Sequence, residues 1–285
     1  MGLLKKLSAF TEKLGVELKQ ANKDKLTLST YQKIFPKDSI ANKRFYNIGA
    51  GGFLHPYWTN VDYYSDWYKG WAKNTDKGIN YNLFSHETLP IDDNSAEILY
   101  TSHTIEHIDN ASSQYFFNEA FRVLKSGGIF RITCPDIHLQ YRAYQNNDND
   151  FYYWKTRFTK NGEPYQPSIE QLFVQRFATA ITEIPAEGID PRMSTEEIKE
   201  LFKKEKLEDA LDTCTNRCTV EFQKQQPGNH MNWWSYGKLE KMLKEAGFKT
   251  MYRSGYAQSA SDVLRNTHLF DNTHPKMSMY MEARK

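Results

Sequence analysis

The chain alternates between short apolar runs and longer segments in which apolar residues have helical spacing. Apolar runs bounded by glycine, asparagine, aspartate or serine predict buried strands at 44–48, 59–62, 79–82, 96–101 and 128–133. Between the last two strands, capping residues at 110–112 predict the start of a helix, and Gly127-Gly128 predicts its end. The alternation resumes with a helix at 235–246 and strands at 248–253 and 277–283. This order predicts an α/β fold with a mostly parallel sheet.

Two segments depart from this alternation. Near the start, Leu3, Leu7, Phe10, Leu14 and Leu18 have the spacing of an amphipathic helix, which either packs on the domain or contacts a membrane surface or a partner. Residues 146–230 combine a polar loop, an aromatic run and helical patterns at 168–182 and 194–211. We therefore predict a helical segment at 1–40, a main domain at 41–145 and 231–285, and a helical insertion at 146–230. The insertion is expected either to cap a substrate pocket or to be a passive elaboration.

Composition narrows the possible functions. The 37 basic and 35 acidic residues give a net charge of +2, which lacks the concentrated basic excess of a nucleic-acid-binding protein. No apolar run reaches the roughly 18 residues of a membrane span, so no transmembrane segment is expected. Three cysteines are too few for a disulfide framework, and a reducing cytoplasm is the expected location. Cys214 and Cys218 lack the second ligand pair of a structural zinc site.

The first two predicted strands flank a glycine-rich turn. Gly49, Gly51 and Gly52 follow the first strand, and Asp62 ends the second. Glycines let the backbone approach a ligand closely, and a carboxylate accepts hydrogen bonds from ribose hydroxyls. This arrangement is how an α/β sheet binds a nucleoside, so the sequence predicts a nucleoside-containing cofactor at the carboxyl ends of these strands.

The surrounding motifs resemble those of the class I S-adenosylmethionine (SAM)-dependent methyltransferases, and more narrowly their type-11 branch. The matching segments are Asn47 to Gly52, Asn60-Val61-Asp62, Leu89 to Ser95, Ser102 to His107, Arg122 to Gly128 and Cys134-Pro135-Asp136. The resemblance covers 44–138 well and 235–285 loosely, and it does not cover 146–230. It implies a Rossmann-like class I methyltransferase sheet, mostly parallel with a late antiparallel strand, and SAM as cofactor.

The resemblance also implies the cofactor contacts. Gly49, Ala50 and Gly51 would form the floor beneath the methionyl and ribose groups, Asp62 would bind the ribose hydroxyls, and Tyr63 would flank the adenine. Asn82 and Leu83 would lie beside the adenine, and Ser102 would complete the cofactor-binding set. This family often has aspartate where Asn82 stands, and often an acid where Asn47 stands. Asn82 keeps the ability to donate and accept hydrogen bonds.

Methyl transfer needs alignment of nucleophile and methyl group, and a base when the nucleophile carries a proton. The candidates follow the fourth and fifth strands: His103, then His107, then Asp136. An imidazole can accept a proton from a hydroxyl at neutral pH. Both histidines could instead form hydrogen bonds with backbone groups at a helix start. The expected acceptor is a small molecule or a glycan precursor, as in polysaccharide biosynthesis, methylated on a hydroxyl or an amine.

Three other interpretations remain open. The string from His103 to His107 reads H-x-x-E-H, a zinc-hydrolase motif, but it follows a strand in a methyltransferase-like frame, so no metal ion is expected. A nicotinamide-dependent oxidoreductase is disfavoured, because Asp62 lies closer to the glycines than the roughly 20 residues of that fingerprint. A SAM-binding module that no longer catalyses is the main alternative to the enzyme. The sequence leaves the oligomeric state open.

Overall fold

The computed structural model describes residues 23–64, 78–160, 163–184 and 188–285. The amphipathic helix expected at 3–18 lies outside these residues. Within them, no helix is both long and apolar enough to cross a membrane.

One seven-stranded sheet organises the molecule. Its strands are β1 (Phe45–Ile48), β2 (Trp58–Asp62), β3 (Ile79–Asn80), β4 (Ala96–Ser102), β5 (Leu124–Pro135), β8 (Thr250–Ser254) and β9 (Ser278–Arg284). They lie in the order β3-β2-β1-β4-β5-β9-β8. The strands from β3 to β5 pair in parallel, and β9 pairs antiparallel with both β5 and β8. The predicted α/β sheet, mostly parallel with a late antiparallel strand, is confirmed.

The strand order reverses between β1 and β4. From β1 the chain moves outward to β2 and β3, and then returns to place β4 on the other side of β1. Such a reversal opens a crevice at the carboxyl ends of the two central strands. β1 ends at Ile48, immediately before the glycine turn, and β4 ends at Ser102, immediately before His103. The two central motifs of the sequence therefore meet at one point.

Helices and a small hairpin complete the described chain. The helices are α1 (Lys23–Ile34), α2 (Lys37–Ala41), α3 (Asn110–Val123), α4 (Ile137–Gln145), α5 (Ile169–Val174), α6 (Thr195–Lys204), α7 (Leu207–Thr215), α8 (Val220–Gln225) and α9 (Tyr236–Glu245). The hairpin is formed by β6 (Thr159–Lys160) and β7 (Glu163–Pro164). Short 3₁₀ turns lie at Ile105–His107, Lys155–Arg157, Thr179–Ile181 and Asp262–Arg265.

Helix α3 begins at Asn110, within the predicted 110–112, but the residue that caps it is Asp109. The Asp109 carboxylate caps α3 by accepting from the Ser112 N–H, and Ser235 caps α9 through the N–H of Lys238. The predicted end of α3 at Gly127-Gly128 is wrong, because the helix ends at Val123 and Leu124 already has extended backbone. Leu124 is fully buried and pairs with Ala96, so strand pairing extends β5 back to the end of the helix.

Three apolar cores surround the sheet and the insertion. One face of the sheet packs Phe117, Phe130 and Trp234 against α3 and α9. The opposite face packs Tyr31, Phe45, Trp58 and Phe270. A third core lies mostly within the insertion, around Phe173, Ile198 and Leu211, but it includes Ile137 and Ala143 of α4 and Trp233. α4 therefore links the sheet to the insertion through a shared apolar core.

Candidate cofactor and active site

A cavity of about 380 Å³ opens at the carboxyl ends of β1, β2, β3 and β4. Four parts of the chain line it: the glycine turn, the ends of β2 and β3, the segment after β4, and the insertion. In that order, the residues are Gly49, Gly51 and Gly52; Asp62, Tyr63, Asn82 and Leu83; His103, Thr104 and His107; and Gln223, Pro227 and Gly228. This volume lies in the range of small-molecule sites. The cavity therefore combines the predicted cofactor motifs with residues from the insertion.

The glycine turn has backbone conformations that favour glycine. Gly49 has φ +69° and Gly51 has φ +53°. A Cβ on Gly49 would lie 2.9 Å from the Thr104 Cβ and even closer to other atoms of that side chain, so the turn and the β4 segment are in close contact. The Gly49 N–H donates to the Val61 carbonyl at 2.8 Å. The turn is thus fixed against both neighbouring strands.

Asp62 connects the glycine turn to the cavity. Its Oδ2 accepts the Gly51 N–H at 2.6 Å, and its Oδ1 accepts the Tyr63 N–H at 2.7 Å. Burial raises the pKa of Asp62, and the N–H groups of Gly51 and Tyr63 partly offset that rise. Each carboxylate oxygen has a further lone pair for a ligand hydroxyl. The side chain can therefore hold the turn and bind a diol at the same time.

Six of the eight residues predicted to bind the cofactor line the cavity: Gly49, Gly51, Asp62, Tyr63, Asn82 and Leu83. Tyr63 is 44% exposed, which leaves its ring face accessible. Ala50 is buried beside the turn and does not line the cavity. Ser102 is also outside the lining, with its hydroxyl 3.3 Å from that of Thr133.

His103 stands at the end of β4 with a left-handed backbone, φ +52°. Its Nδ1 lies 3.0 Å from Glu106 Oε1, and its Nε2 lies 2.7 Å from Ser278 Oγ, at the start of β9. Its N–H donates to the Thr133 carbonyl of β5 at 2.9 Å. Three strands therefore fix the position and ring orientation of this histidine at the cavity wall.

His107 lines the same wall with a different set of contacts. Its Nδ1 donates to the Asn229 carbonyl at 2.8 Å, and its ring meets that of His230 edge-on, with centroids 4.7 Å apart. Burial lowers the pKa of His107. The pKa of His230 lies well below its ordinary value, because the side chain is buried and because the positive charge of Arg176 is close. Burial works to raise the pKa of Glu106, but the electrostatic interaction and hydrogen bond with the neighbouring His103 imidazole lower it below its ordinary value. The carboxylate is therefore the charged member of this group at neutral pH.

Asp136 is placed differently from the two histidines. Its Oδ1 accepts the N–H groups of His138 at 2.9 Å and Leu139 at 3.2 Å, which caps α4. It does not line the cavity. Of the three candidate bases, the structure brings His103 and His107 to the site and leaves Asp136 at a helix start.

Several residues of the site were not predicted from the sequence. Thr104 contacts the glycine turn, and Gln223, Pro227 and Gly228 come from the insertion, where no motif indicated a cavity wall. Glu106 was visible as part of the segment after β4, but its contact with His103 was not.

Comparison with known proteins agrees with the site. Residues 49–132 match the family model described as a methyltransferase domain. Among solved structures, the chain is similar to a SAM-dependent methyltransferase of Thermotoga maritima described as a possible histamine N-methyltransferase, at 13% identity over 91% of this chain and 87% of that chain, with TM-score 0.41.

A SAM-dependent methyltransferase of Mesorhizobium loti is similar at 14% identity over 85% of this chain and 90% of that chain, with TM-score 0.39. One of Archaeoglobus fulgidus has 9% identity over 92% and 94%, with TM-score 0.40. No curated protein matches the sequence. With the family match spanning the glycine turn, Asp62 and the segment after β4, the chain carries a class I SAM-dependent methyltransferase domain, and its methyl donor is S-adenosylmethionine.

Proposed function

We propose that the chain methylates a hydroxyl group, or an amine, of a small molecule or glycan precursor, with His103 as the base. The observation that carries this proposal is the position of His103 at the cavity wall, between the cofactor turn and Ser278, with Glu106 behind it. When bound, SAM supplies a methyl group on a sulfonium, which is already a good leaving group. The protein therefore has to align the acceptor and remove its proton.

The turn and Asp62 fit a bound nucleoside. Gly49 packs directly against Thr104, whereas a Cβ on Gly51 would meet nothing within 4 Å, so the turn leaves open space at Gly51. The carboxylate of Asp62 keeps further lone pairs for a ligand hydroxyl. Tyr63, Asn82 and Leu83 line the neighbouring end of the cavity, where an adenine would stack or form hydrogen bonds. We assign Gly49, Gly51, Asp62, Tyr63, Asn82 and Leu83 to the cofactor, while roles for Ala50 and Ser102 rest on the family resemblance alone.

The contacts of His103 suit a proton acceptor. Donation of Nδ1–H to a carboxylate orients an imidazole, leaves Nε2 as the basic atom and stabilises the imidazolium after proton uptake. Ser278 Oγ lies 2.7 Å from Nε2 and also 2.8 Å from the His274 carbonyl, to which it can donate. An acceptor hydroxyl would take the place of Ser278 at Nε2. Asp136 is the weaker candidate, because its carboxylate is committed to the N-terminus of α4.

The insertion supplies the remaining wall. Gln223 of α8, with Pro227 and Gly228, lines the same cavity as the glycine turn. We propose that residues 146–230 form a cap that excludes water and shapes the acceptor pocket, and that 41–145 and 231–285 form the SAM-binding domain.

The experiment has two steps. Calorimetric titration of the purified protein with SAM, S-adenosylhomocysteine and NAD tests the cofactor site, and binding of the two sulfur compounds but not NAD is expected. Sugars, phenols and amines are then screened for SAM-dependent methylation. His103→Gln should retain SAM affinity and lose turnover at least about 100-fold, whereas His138→Ala, which changes an exposed histidine, should keep both.

Full turnover in His103→Gln would overturn the assignment of the base. SAM binding without methylation of any acceptor in the wild-type screen would favour the alternative, a SAM-binding module used for binding or assembly.

A further inference from the structure

Three side chains with metal-binding atoms converge beside the cavity. Glu106 and His107 lie in the 3₁₀ turn after β4, and His230 follows α8 near the end of the insertion. One ligand atom from each lies within 4.8 Å of those from the other two. The backbone carbonyl of Glu106 accepts the N–H groups of Met231 at 2.9 Å and Asn232 at 3.2 Å, which holds the two segments together.

Both histidines are fixed in the same tautomer. His107 Nδ1 lies 2.8 Å from the Asn229 carbonyl, and His230 Nδ1 lies 2.7 Å from the Arg176 carbonyl. A carbonyl oxygen can only accept, so both Nδ1 atoms carry the proton and both Nε2 atoms keep a lone pair. Metal-binding histidines are held in this way, with the ring N–H donated to a carbonyl or carboxylate and the other nitrogen facing the ion.

Glu106 presents a carboxylate with few partners. The residue is 1% exposed, and its Oε2 has no hydrogen-bond partner among the described residues. The polar contact it does have is the 3.0 Å approach of His103 Nδ1 to Oε1. A buried carboxylate is normally satisfied by several hydrogen bonds, by a counter-charge or by a metal ion. Oε2 is therefore a buried acceptor without a hydrogen-bond partner, on a side chain that is clustered with the two histidines.

We propose that Glu106, His107 and His230 bind a divalent first-row transition-metal ion, with His103 orienting the carboxylate from outside. Two imidazole nitrogens and one carboxylate oxygen suit Zn²⁺, Fe²⁺, Mn²⁺ or Co²⁺ and leave coordination positions open. Metal–ligand bonds of about 2.0–2.2 Å place tetrahedral ligands ~3.4 Å apart, so side-chain shifts of about 1 Å would close the site.

The site borders the cavity, since His107 lines it. An ion held there would lie beside the cavity and could bind an acceptor oxygen, and proton removal would remain with His103. His107 then serves as a ligand and not as a base. Metal binding itself rests on the cluster alone and not on the proposed methylation.

A competing account needs no metal. Arg176 is buried nearby, with its guanidinium carbon 4.5 Å above the Trp154 ring, and it could neutralise Glu106 together with His103. Arg176 makes no ion pair with Glu106 within 4.0 Å among the contacts of the described residues. On this account the chelator-treated protein would bind no divalent ion beyond the background of exposed histidines.

The test uses the full chain after treatment with a chelator. Titration with Co²⁺, followed by visible absorption, and with Zn²⁺, followed by calorimetry, should show one site per chain. His230→Ala and Glu106→Gln should weaken the affinity at least about 100-fold, and His103→Gln about tenfold, as expected for a residue that orients a ligand. The control His138→Ala should bind as the wild type does.

Each result decides the proposal. Absence of a saturable site in the wild type overturns it without reference to any variant, and so does unchanged affinity in a folded His230→Ala. Should His230→Ala fail to fold by circular dichroism, Glu106→Gln, which preserves side-chain shape, gives the answer. Calorimetry with S-adenosylhomocysteine on the same samples reports the cofactor site separately, so loss of metal binding with intact cofactor binding contradicts only the metal proposal.

Discussion

At the scale of single residues, Asp62 both anchors the glycine turn and faces the proposed cofactor site. It accepts the Gly51 N–H at 2.6 Å and faces the cavity. Asp62→Ala removes both the acceptor for the ribose hydroxyls and the anchor of the turn, so SAM affinity should fall at least tenfold, about 1.4 kcal/mol or more. Calorimetry measures the change. The exposed Asp92→Ala is the control, and unchanged SAM affinity in Asp62→Ala would refute the cofactor assignment.

Gly49 is the glycine whose absent side chain matters most. A methyl group there would overlap Thr104 and force a left-handed residue, so Gly49→Ala should destabilise the fold by about 2 kcal/mol and weaken SAM binding. Thr104→Ala should recover part of both losses in the double variant. Gly51→Ala, where a Cβ meets nothing within 4 Å, should cost only the backbone strain. Urea unfolding measures the stability of each variant, and calorimetry measures its affinity for SAM. Equal losses of stability in Gly49→Ala and Gly51→Ala would contradict the close contact between Gly49 and Thr104.

Lys238 is a buried cation whose charge should make stability depend on pH. Its Nζ donates to Asn232 Oδ1 at 2.7 Å and lies 4.1 Å from the Trp233 ring, while burial lowers its pKa to about 7, against the weaker effects of Asp212 and Glu208. Between pH 7 and 10.5 the unfolded chain binds the extra proton, so stability rises with pH across this window and is least below it.

Comparison of wild type with Lys238→Met isolates this effect. The difference in unfolding free energy between the two proteins should change by about 1 kcal/mol per pH unit from pH 7.5 to 9.5. Urea unfolding at several pH values measures it. Lys241→Met alters an exposed lysine on the same helix and should show no such trend. Parallel pH curves for wild type and Lys238→Met would show that the ammonium is not destabilised by burial.

At the scale of elements, a buried ion pair between Arg131 and Asp271 joins β5 to the segment between β8 and β9. Arg131 and Asp271 are both fully buried, with Nη2 to Oδ2 at 2.6 Å and Nε to Oδ1 at 3.2 Å. Arg131→Met leaves Asp271 and the neighbouring Glu282 without their counter-charge, so it should cost about 3–5 kcal/mol. Lys204→Met breaks an exposed pair with Glu200 and should cost less than about 1 kcal/mol. Similar midpoints of urea unfolding for the two variants would contradict this contrast.

The elements also show where sequence patterns succeed. β4 is a run of buried residues, and its limits follow from the sequence to within one position, because composition and burial agree there. The start of α3 lies within the predicted 110–112, because polar residues mark it locally, although the residue that caps it is Asp109. Its end was missed because the signal at Gly127-Gly128 is local, whereas the pairing of Leu124 with Ala96 is a tertiary contact.

At the scale of the whole molecule, the same distinction separates the two halves of the site. The glycine turn and Asp62 could be predicted, because adjacent parallel strands bring sequence neighbours to one edge of the sheet. Gln223 and His230 could not, because they reach the cavity and the histidine cluster only through the packing of the insertion on α4 and the 3₁₀ turn after β4. No periodicity within 146–230 encodes that docking.

Because the insertion packs at the cavity, ligand binding should slow hydrogen exchange in two parts of the chain that are distant in sequence. S-adenosylhomocysteine at 100 times its Kd should add about 2.7 kcal/mol to the free energy of unfolding, because it binds only the folded state. Since Gln223, Pro227 and Gly228 share the cavity with the glycine turn, hydrogen exchange should slow both at 49–52 and at 220–228. α6, which packs in the insertion core but does not line the cavity, is the control and should change less. Protection limited to 49–52 would show that the insertion does not close over the cofactor, and the proposed cap would then have to be abandoned even with SAM binding intact.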